Sequence, residues 1–140
     1  MKKITQFLLI VFAITASMLT ACSGNASTSL VGDWKLVSYG SSTNPTPADP
    51  NTDTSLTFGS NGTLNGNVGC NSFSGDYKVN GSTITFGPIT STMMACADPM
   101  MEQEGVVFNV FTNSATFNID GNILTATSAD GTSAVVFTNK

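Results

Sequence analysis

The sequence contains no arginine and no histidine, and charged residues make up only 10% of its 140 residues. The five positive charges are all lysines, whereas nine residues are acidic, so the net charge is -4. A nucleic-acid-binding domain needs a basic surface, so this class is excluded. Histidine-dependent catalysis, histidine metal sites and arginine clamps for phosphate are excluded because their principal side chains are missing. We therefore expect no enzyme activity, no cofactor and no metal.

The N-terminal segment has the pattern of a bacterial lipoprotein signal peptide. Two lysines precede an apolar stretch at residues 7–19, which is shorter than the roughly 20 residues that cross a bilayer. Residues 19–22, Leu-Thr-Ala-Cys, resemble the lipobox, which implies cleavage before Cys22 and lipidation of that cysteine. We predict a signal peptide at residues 1–21 and an extracytoplasmic protein anchored to the membrane through Cys22. In a Gram-negative host the predicted location is the outer membrane.

The mature chain is predicted to be one domain on a short tether. Residues 22–29 are small and polar and are typical of a flexible linker. The domain is predicted to span residues 30–140, which is close to the commonest domain size. After cleavage three lysines remain against nine acidic residues, so the net charge becomes -6. A lipid anchor with two or more chains holds such a protein without help from a basic patch.

Short runs of alternating apolar and polar residues predict a mainly β fold. Serine, threonine and asparagine together supply 49 residues, and threonine favours strands. The runs are separated by Asn-Gly or Asp-Gly dipeptides that begin at residues 61, 80, 120 and 130 and are typical of tight hairpins. We predict a small antiparallel meander that is barrel-like. Its predicted inward-facing residues are Trp34, Leu36, Leu56, Phe58, Phe73, Tyr77, Val79, Ile84, Phe86, Phe117, Ile119, Val135 and Phe137.

Two segments depart from the alternation. Residues 41–53 contain three prolines and are predicted to form an exposed loop. The other segment is the only predicted helix, which runs from residue 99 to about residue 113 and has Asp98 as its expected N-cap. Its predicted apolar face consists of Met100, Val107, Phe108 and Phe111.

Cys70 and Cys96 remain after lipidation of the first cysteine, and three interpretations of them stay open. An even number of cysteines in an oxidising compartment favours a disulfide, which is the interpretation that we expect. Methionines 93, 94, 100 and 101 surround Cys96 and would form a soft site of the kind that binds Cu(I), although methionine more often fills cores. Two free thiols would indicate a redox sensor, but no cation close in sequence would activate them.

Three sequence motifs resemble those of the META domain family, whose members are also called HslJ-like. They are Gly69-Cys70-Asn71, then Thr92-x-Met94-Ala95-Cys96, then the acidic helix start at residues 101–104. The resemblance covers nearly all of residues 30–139. It implies a small antiparallel, barrel-like domain with one helix, attached to a bacterial envelope and related to heat-shock lipoproteins, but it implies no reaction. We expect Asn71 to satisfy backbone groups in a turn rather than to contact a ligand.

Together these observations predict a monomeric, non-enzymatic envelope lipoprotein that binds a protein partner or supports envelope structure under stress. A hydrolase that uses two acidic residues is an open alternative, although Glu102 and Glu104 would point to different sides of a helix. A second open alternative is an acidic inhibitor of an extracytoplasmic hydrolase, such as lysozyme or a protease. The last alternative is a carrier of an apolar ligand inside the barrel, where Trp34 and Phe58 would leave little room.

Overall fold

The computed structural model describes residues 29–140. The predicted signal peptide, Cys22 and the predicted tether up to Thr28 lie outside the described residues. Within residues 29–140, no helix is both long and apolar enough to cross a membrane. The described part contains ten strands and one helix, which are β1 (Gly32–Ser41), β2 (Pro45–Pro47), β3 (Ser55–Phe58), β4 (Thr63–Asn67), β5 (Ser72–Asn80), β6 (Thr83–Phe86), β7 (Thr90–Ser91), α1 (Met100–Val110), β8 (Ser114–Asp120), β9 (Ile123–Ser128) and β10 (Ser133–Asn139).

Eight of the strands form a closed antiparallel barrel in the order β1, β3, β4, β5, β6, β8, β9 and β10. The last strand pairs with the first, so that Trp34 lies opposite Asn139 and the ring closes. β2 pairs with β1, and β7 pairs with β5, outside this ring. Closure removes the free sheet edges that would otherwise pair with other chains. The prediction of a mainly β, antiparallel, barrel-like meander with one helix is confirmed.

The four predicted Asn-Gly and Asp-Gly corners are all hairpin connections. They join β3 to β4, β5 to β6, β8 to β9, and β9 to β10. The glycine of each dipeptide has a positive φ, which is 82° at Gly62, 58° at Gly81, 59° at Gly121 and 74° at Gly131. Glycine adopts this conformation without the steric cost that a side chain would add. These four dipeptides therefore determine where the chain reverses.

The barrel interior is filled by large side chains. Trp34, Phe58 and Phe137 are at most 1% exposed, and the indole Nε1 of Trp34 donates a hydrogen bond to the Leu30 carbonyl at 2.9 Å. Phe111 follows the helix and stacks on Phe86 with a ring-centroid distance of 4.7 Å. Packing of this kind leaves little interior volume and supplies the main apolar stabilisation of a small domain.

Three residues that were predicted to face the core are more exposed than expected. Val79 is 47% exposed, and Phe117 and Ile119 are only partly buried. All three lie where a strand extends past its neighbour, since β4 begins opposite Asp76 and β6 begins opposite Thr116. Beyond those points one flank of the strand is uncovered, so inward-pointing side chains reach solvent.

The helix is shorter than predicted at its N-terminus. It begins at Met100, so Pro99 occupies the N-cap position, and no side chain makes a capping hydrogen bond. The predicted Asp98 cap is therefore wrong, because Asp98 lies one residue too early. Proline has no side-chain oxygen with which to cap the free N–H groups of the first turn.

The helix also ends earlier than residue 113. Val110 is its last residue, and Asn113 has a φ of 66°, a left-handed conformation that a continuing helix would not permit. On the predicted apolar face Val107 is fully buried, whereas Met100 and Phe108 are only partly buried. The helix packs on β1, β9 and β10 and adds its apolar side chains to the barrel core.

The proline-rich segment at residues 41–53 is exposed over most of its length, but it is not entirely a loop. It contains β2, in which Pro47 pairs with Ser38 of β1. Proline is tolerated here because β2 has no partner on its other side, so its missing N–H leaves no hydrogen bond unmade.

Candidate functional site

The motif residues lie on two connections that meet at the start of α1. Gly69, Cys70 and Asn71 connect β4 to β5, and the second motif lies between β7 and α1. We call residues Thr92–Pro99 the methionine loop. Among the described residues, these two connections contact each other and the helix through both side-chain and backbone groups. Ala95 of the motif is exposed.

Gly69 allows the β4–β5 connection to lie directly against the helix. A Cβ atom on Gly69 would lie 2.5 Å from the Met100 carbonyl oxygen and 2.8 Å from the Glu104 Cβ. These distances are shorter than van der Waals contacts, so any side chain would force the two segments apart. The backbone N–H of Gly69 donates to the Asn67 side chain at 3.1 Å, which holds the turn. The motif glycine thus serves close packing.

The Glu104 carboxylate connects the helix to this turn. The side chain is only 4% exposed. Its Oε2 accepts hydrogen bonds from the backbone N–H groups of Cys70, at 2.9 Å, and Asn71, at 2.6 Å. Its Oε1 accepts a third bond from the Asn71 side-chain amide at 2.7 Å. Three donors compensate for the loss of water around a buried carboxylate, and hydrogen bonds to an ionised group are the stronger kind.

Asn71 links the Glu104 carboxylate to the methionine loop through hydrogen bonds. Its Oδ1 accepts hydrogen bonds from the backbone N–H of Met94, at 2.7 Å, and the hydroxyl of Thr92, at 2.8 Å. Its Nδ2 donates to the Met94 carbonyl at 3.2 Å in addition to Glu104. The amide therefore binds both backbone groups of Met94, as a neighbouring strand would. This agrees with the expectation that Asn71 satisfies backbone groups. We call Glu104, Asn71, Thr92 and the Met94 backbone the Glu104 network.

Gln103, the residue before Glu104, forms a second buried bridge. It is fully buried, and its Nε2 donates to the Val68 carbonyl at 2.5 Å. Its Oε1 accepts from the backbone N–H of Asp49 at 2.9 Å, which fixes the end of the proline-rich segment against the helix. Neither Gln103 nor Glu104 was predicted to be buried.

The helical phase would have indicated these two residues. Gln103 precedes the fully buried Val107 and Val110 by four and seven positions, and Glu104 precedes Val107 by three. Residues at these spacings share one face of a helix. The helical phase implies that Glu104 is buried. Its residue type argues against this, because glutamate is rarely buried in proteins.

The two cysteines of the motifs lie at disulfide distance from each other. Their Cα atoms are 6.1 Å apart and their separation in sequence is 26 residues. Cys70 is buried beside the Met94 carbonyl, and Cys96 is partly buried two residues after Met94. A bond between them would hold the loop at Cys96, and the Glu104 network holds it at Met94.

The four methionines near Cys96 differ in exposure. Met93 is 96% exposed and Met94 is 55% exposed, whereas Met100 and Met101 are partly buried on the helix. Within residues 29–140 there is no group of three or more cysteine, aspartate, glutamate or histidine side chains arranged to hold a metal. With the cysteines paired, no thiolate is available to a soft metal, so this geometry favours the disulfide interpretation over the copper interpretation.

Three acidic residues lie around the start of α1, where the methionine loop ends. Burial raises the pKa of the Tyr39 phenol, and the negative charges of Glu102, Asp49 and Asp98 raise this pKa further. Hydrogen bonds from the Thr52 hydroxyl and the Asn51 backbone lower the pKa of Asp49, so Asp49 is ionised at neutral pH. The backbone N–H of Asp49 donates to the side chain of Gln103, which follows Glu102 on α1, and Asp98 lies two residues before α1 begins, so these three residues lie around the start of the helix. We call Asp49, Asp98 and Glu102 the acidic patch.

A cleft of about 510 Å³ lies beside the C-terminal end of α1. Its walls come from the segment after β6 and the C-terminal end of α1, with Phe86, Phe108 and Phe111 as the aromatic part. Its volume is in the range of small-molecule sites. The predicted carrier was instead expected to hold its ligand inside the barrel, where the aromatic core leaves little space.

The two acidic residues considered for a hydrolase, Glu102 and Glu104, lie in different surroundings. Glu102 is exposed and Glu104 is buried in the network, so the two carboxylates do not face a common space, as the sequence predicted.

Comparisons with known proteins agree with this fold. A protein from Burkholderia xenovorans solved by NMR is 21% identical, with a TM-score of 0.64, over 78% of this chain and 81% of that chain. A second NMR structure is 22% identical, with a TM-score of 0.60 and coverages of 77% and 88%. The crystal structure of a DUF4847 family protein from Bacteroides vulgatus is 15% identical, with a TM-score of 0.55 and coverages of 78% and 92%. At these identities the likeness concerns the fold alone.

Sequence comparison identifies the family. No curated protein sequence matches the chain significantly. The model of the META domain matches residues 28–140, which include both cysteine motifs, the helix and every strand of the barrel. The match spans far more than half of the chain, so this protein belongs to the META domain family.

Proposed function

We propose that this protein is a lipid-anchored META-domain protein of the bacterial envelope that acts by binding a protein partner and not by catalysis. One observation supports the binding role, which is that the methionine loop is exposed and yet held by buried groups. The buried Glu104 carboxylate, the buried Asn71 amide and the cysteine pair together hold this exposed loop in one conformation. Fixing a loop before contact lowers the entropy cost of association, which is what a recognition surface requires.

The membrane anchor rests on the lipobox at residues 19–22. A tether from Cys22 to Ser29 can span at most about 28 Å when fully extended. The barrel would therefore stay close to the bilayer while remaining free to rotate. An acidic domain is repelled by anionic lipids, so the lipid chains rather than the domain surface would hold it there. An envelope stress role, which the family resemblance suggests, is part of the same proposal.

The intact mass of the protein extracted from membranes without reductant tests this proposal. We expect a chain that begins at Cys22, carries acyl chains and is two hydrogens lighter than the reduced form. The Cys22→Ser variant serves as the control, because it should lack the lipid and leave the membrane fraction or keep its signal peptide. A wild-type chain that begins at Met1, or that lacks lipid, would contradict the envelope assignment.

A second candidate function is inhibition of an extracytoplasmic hydrolase such as lysozyme or a protease. The acidic patch beside a fixed, exposed loop favours it, since many such hydrolases are basic and opposite charges speed association. Assays of a hydrolase panel at micromolar protein would test it, and full activity of every enzyme would argue against it. The carrier alternative has less support, because the barrel interior is occupied by side chains.

A further inference from the structure

The methionine loop has an unusual composition for a surface connection. Surface loops are normally polar, whereas this one reads Met-Met-Ala-Cys-Ala at residues 93–97. Met93 is 96% exposed and Met94 is 55% exposed, and Ala95 and Ala97 are exposed beside them. A single exposed apolar residue needs no explanation, but here two adjacent exposed methionines occur together with two exposed alanines in one short loop.

The loop conformation depends on the Glu104 network. Glu104 orients Asn71, and Asn71 binds both the N–H and the carbonyl of Met94. At the loop's start, the Thr92 N–H bonds to the Ser72 carbonyl of β5 at 3.0 Å. The backbone that carries the exposed thioethers is therefore positioned, while the side chains themselves stay free to adapt. Flexible methionine side chains of this kind suit binding surfaces that must fit varied apolar partners.

The charge next to the loop indicates what kind of partner fits. The acidic patch includes Asp98, which is four residues after Met94 and therefore at most about 14 Å from it along the chain. No lysine or arginine occurs between Lys78 and Lys140, so this part of the chain carries only negative charge. The loop thus carries exposed methionines and an exposed carboxylate a few residues apart, and its complement is a segment with apolar and basic side chains side by side.

We propose that the methionine loop and the acidic patch together form the docking surface for a basic amphipathic segment of a partner protein. This inference rests on the proposed binding function and names the surface and the chemistry of the partner. The apolar side of the segment packs on Met93 and Met94, and its lysines or arginines face Asp98 and Glu102. Recognition of basic amphipathic helices by methionine-rich, acidic surfaces follows the same physical principle.

Calorimetric titration with a defined probe tests this surface. The exported protein is used at full length, in phosphatidylcholine nanodiscs if it carries lipid, with empty nanodiscs as the blank. The probe is a synthetic amphipathic helical peptide of leucine and lysine, and a peptide of leucine and glutamate with the same pattern is its charge control. The test variant is M93S/M94S, and the matched control is Val79→Ser, because Val79 is 47% exposed on β5 and outside the loop.

We expect the wild-type protein and the Val79→Ser variant to bind the lysine peptide, and the M93S/M94S variant to bind at least about tenfold more weakly, the loss that alanine scanning finds at interface hot spots. Glu102→Gln should weaken binding at low salt. Four outcomes would each overturn the proposal. The first two are that the wild-type protein does not bind the lysine peptide, and that Val79→Ser loses as much affinity as M93S/M94S. The other two are equal affinity for the glutamate peptide, and binding of anionic vesicles in place of the peptide. If Cys22 carries lipid but the peptide does not bind, the docking surface is rejected and the membrane anchor is retained. If the peptide binds but the protein carries no lipid, the anchor is rejected and the docking surface is retained.

Discussion

At the scale of single residues, Glu104 and Asn71 determine the conformation of the methionine loop. Glu104 accepts three hydrogen bonds from two residues of the β4–β5 connection, and Asn71 passes that constraint on to Met94. Neither residue needs to touch a ligand for this purpose. Their place in the family motif is therefore explained by packing and hydrogen bonding, without invoking a reaction.

Replacement of Glu104 by glutamine tests this role. The amide places a donor where an acceptor is required, so it faces either the Asn71 Nδ2 group or the backbone N–H groups of Cys70 and Asn71. We expect the Glu104→Gln variant to lose about 2–3 kcal/mol of unfolding free energy, the cost of leaving a buried donor without its charged partner.

Urea denaturation of Glu104→Gln and Glu102→Gln makes the comparison. Glu102 is exposed on the same helix, so its variant should stay within about 0.5 kcal/mol of the wild type. Equal stability of the two variants would contradict a structural role for the buried carboxylate.

At the scale of secondary-structure elements, the packing of α1 on the β4–β5 connection depends on Gly69. The Cβ of an alanine at this position would overlap the Met100 carbonyl, so the helix or the turn must move. We expect Gly69→Ala to lower the unfolding free energy by about 1–3 kcal/mol, as overpacked sites generally do.

Gly105 supplies the opposite case within the same helix. A Cβ at Gly105 would meet no atom within 4 Å. Gly105→Ala should therefore stabilise the protein by about 0.5–1 kcal/mol through helix propensity alone. Thermal melts of both variants would distinguish them, and a destabilised Gly105→Ala or a neutral Gly69→Ala would show that α1 packs differently.

Most elements could be predicted from local sequence because local chemistry determines them. The hairpin glycines and the alternating residues indicated the reversals and the inward face. No local pattern indicates where one strand extends past its neighbour, so the alternation predicts Val79 in the core although it is 47% exposed. That error has a non-local cause, since the exposure of Val79 depends on where β4 begins. The error at the helix start has a local cause, since Asp98 is a favourable capping residue but Pro99 occupies the N-cap position.

At the scale of the whole molecule, the Cys70–Cys96 pair links the β4–β5 connection to the methionine loop. In the chain-entropy model, closing a loop of this size contributes about 3–4 kcal/mol. We expect Cys70→Ser to lower the melting temperature by at least about 10 °C without reductant, given the entropy of unfolding of a domain this size.

Reductant provides the internal control for this measurement. When both proteins are reduced, wild type and Cys70→Ser should melt at similar temperatures, and Cys96→Ser should behave like Cys70→Ser. Equal melting of wild type and variant in the absence of reductant would show that the cysteines are not bridged in the isolated protein.

Over the whole chain, sequence identified the fold class and the family motifs but not the way in which the motifs are connected. The match of the META domain and the closed barrel agree with those predictions. The Glu104 network was not foreseen, because it joins residues 71, 94 and 104 through side-chain bonds that no local pattern records. Partner choice depends on surface complementarity with another molecule, which a single sequence does not contain.

Hydrogen exchange of two adjacent backbone amides tests most directly whether the Glu104 network fixes the methionine loop. Met93 and Met94 are both exposed, but the Met94 N–H donates to the buried Asn71 side chain at 2.7 Å. We predict slow exchange at Met94, fast exchange at Met93, and loss of the Met94 protection in Glu104→Gln under conditions where that variant remains folded. Equally fast exchange at both amides in the wild-type protein would contradict a fixed loop, and with it the binding role that we propose.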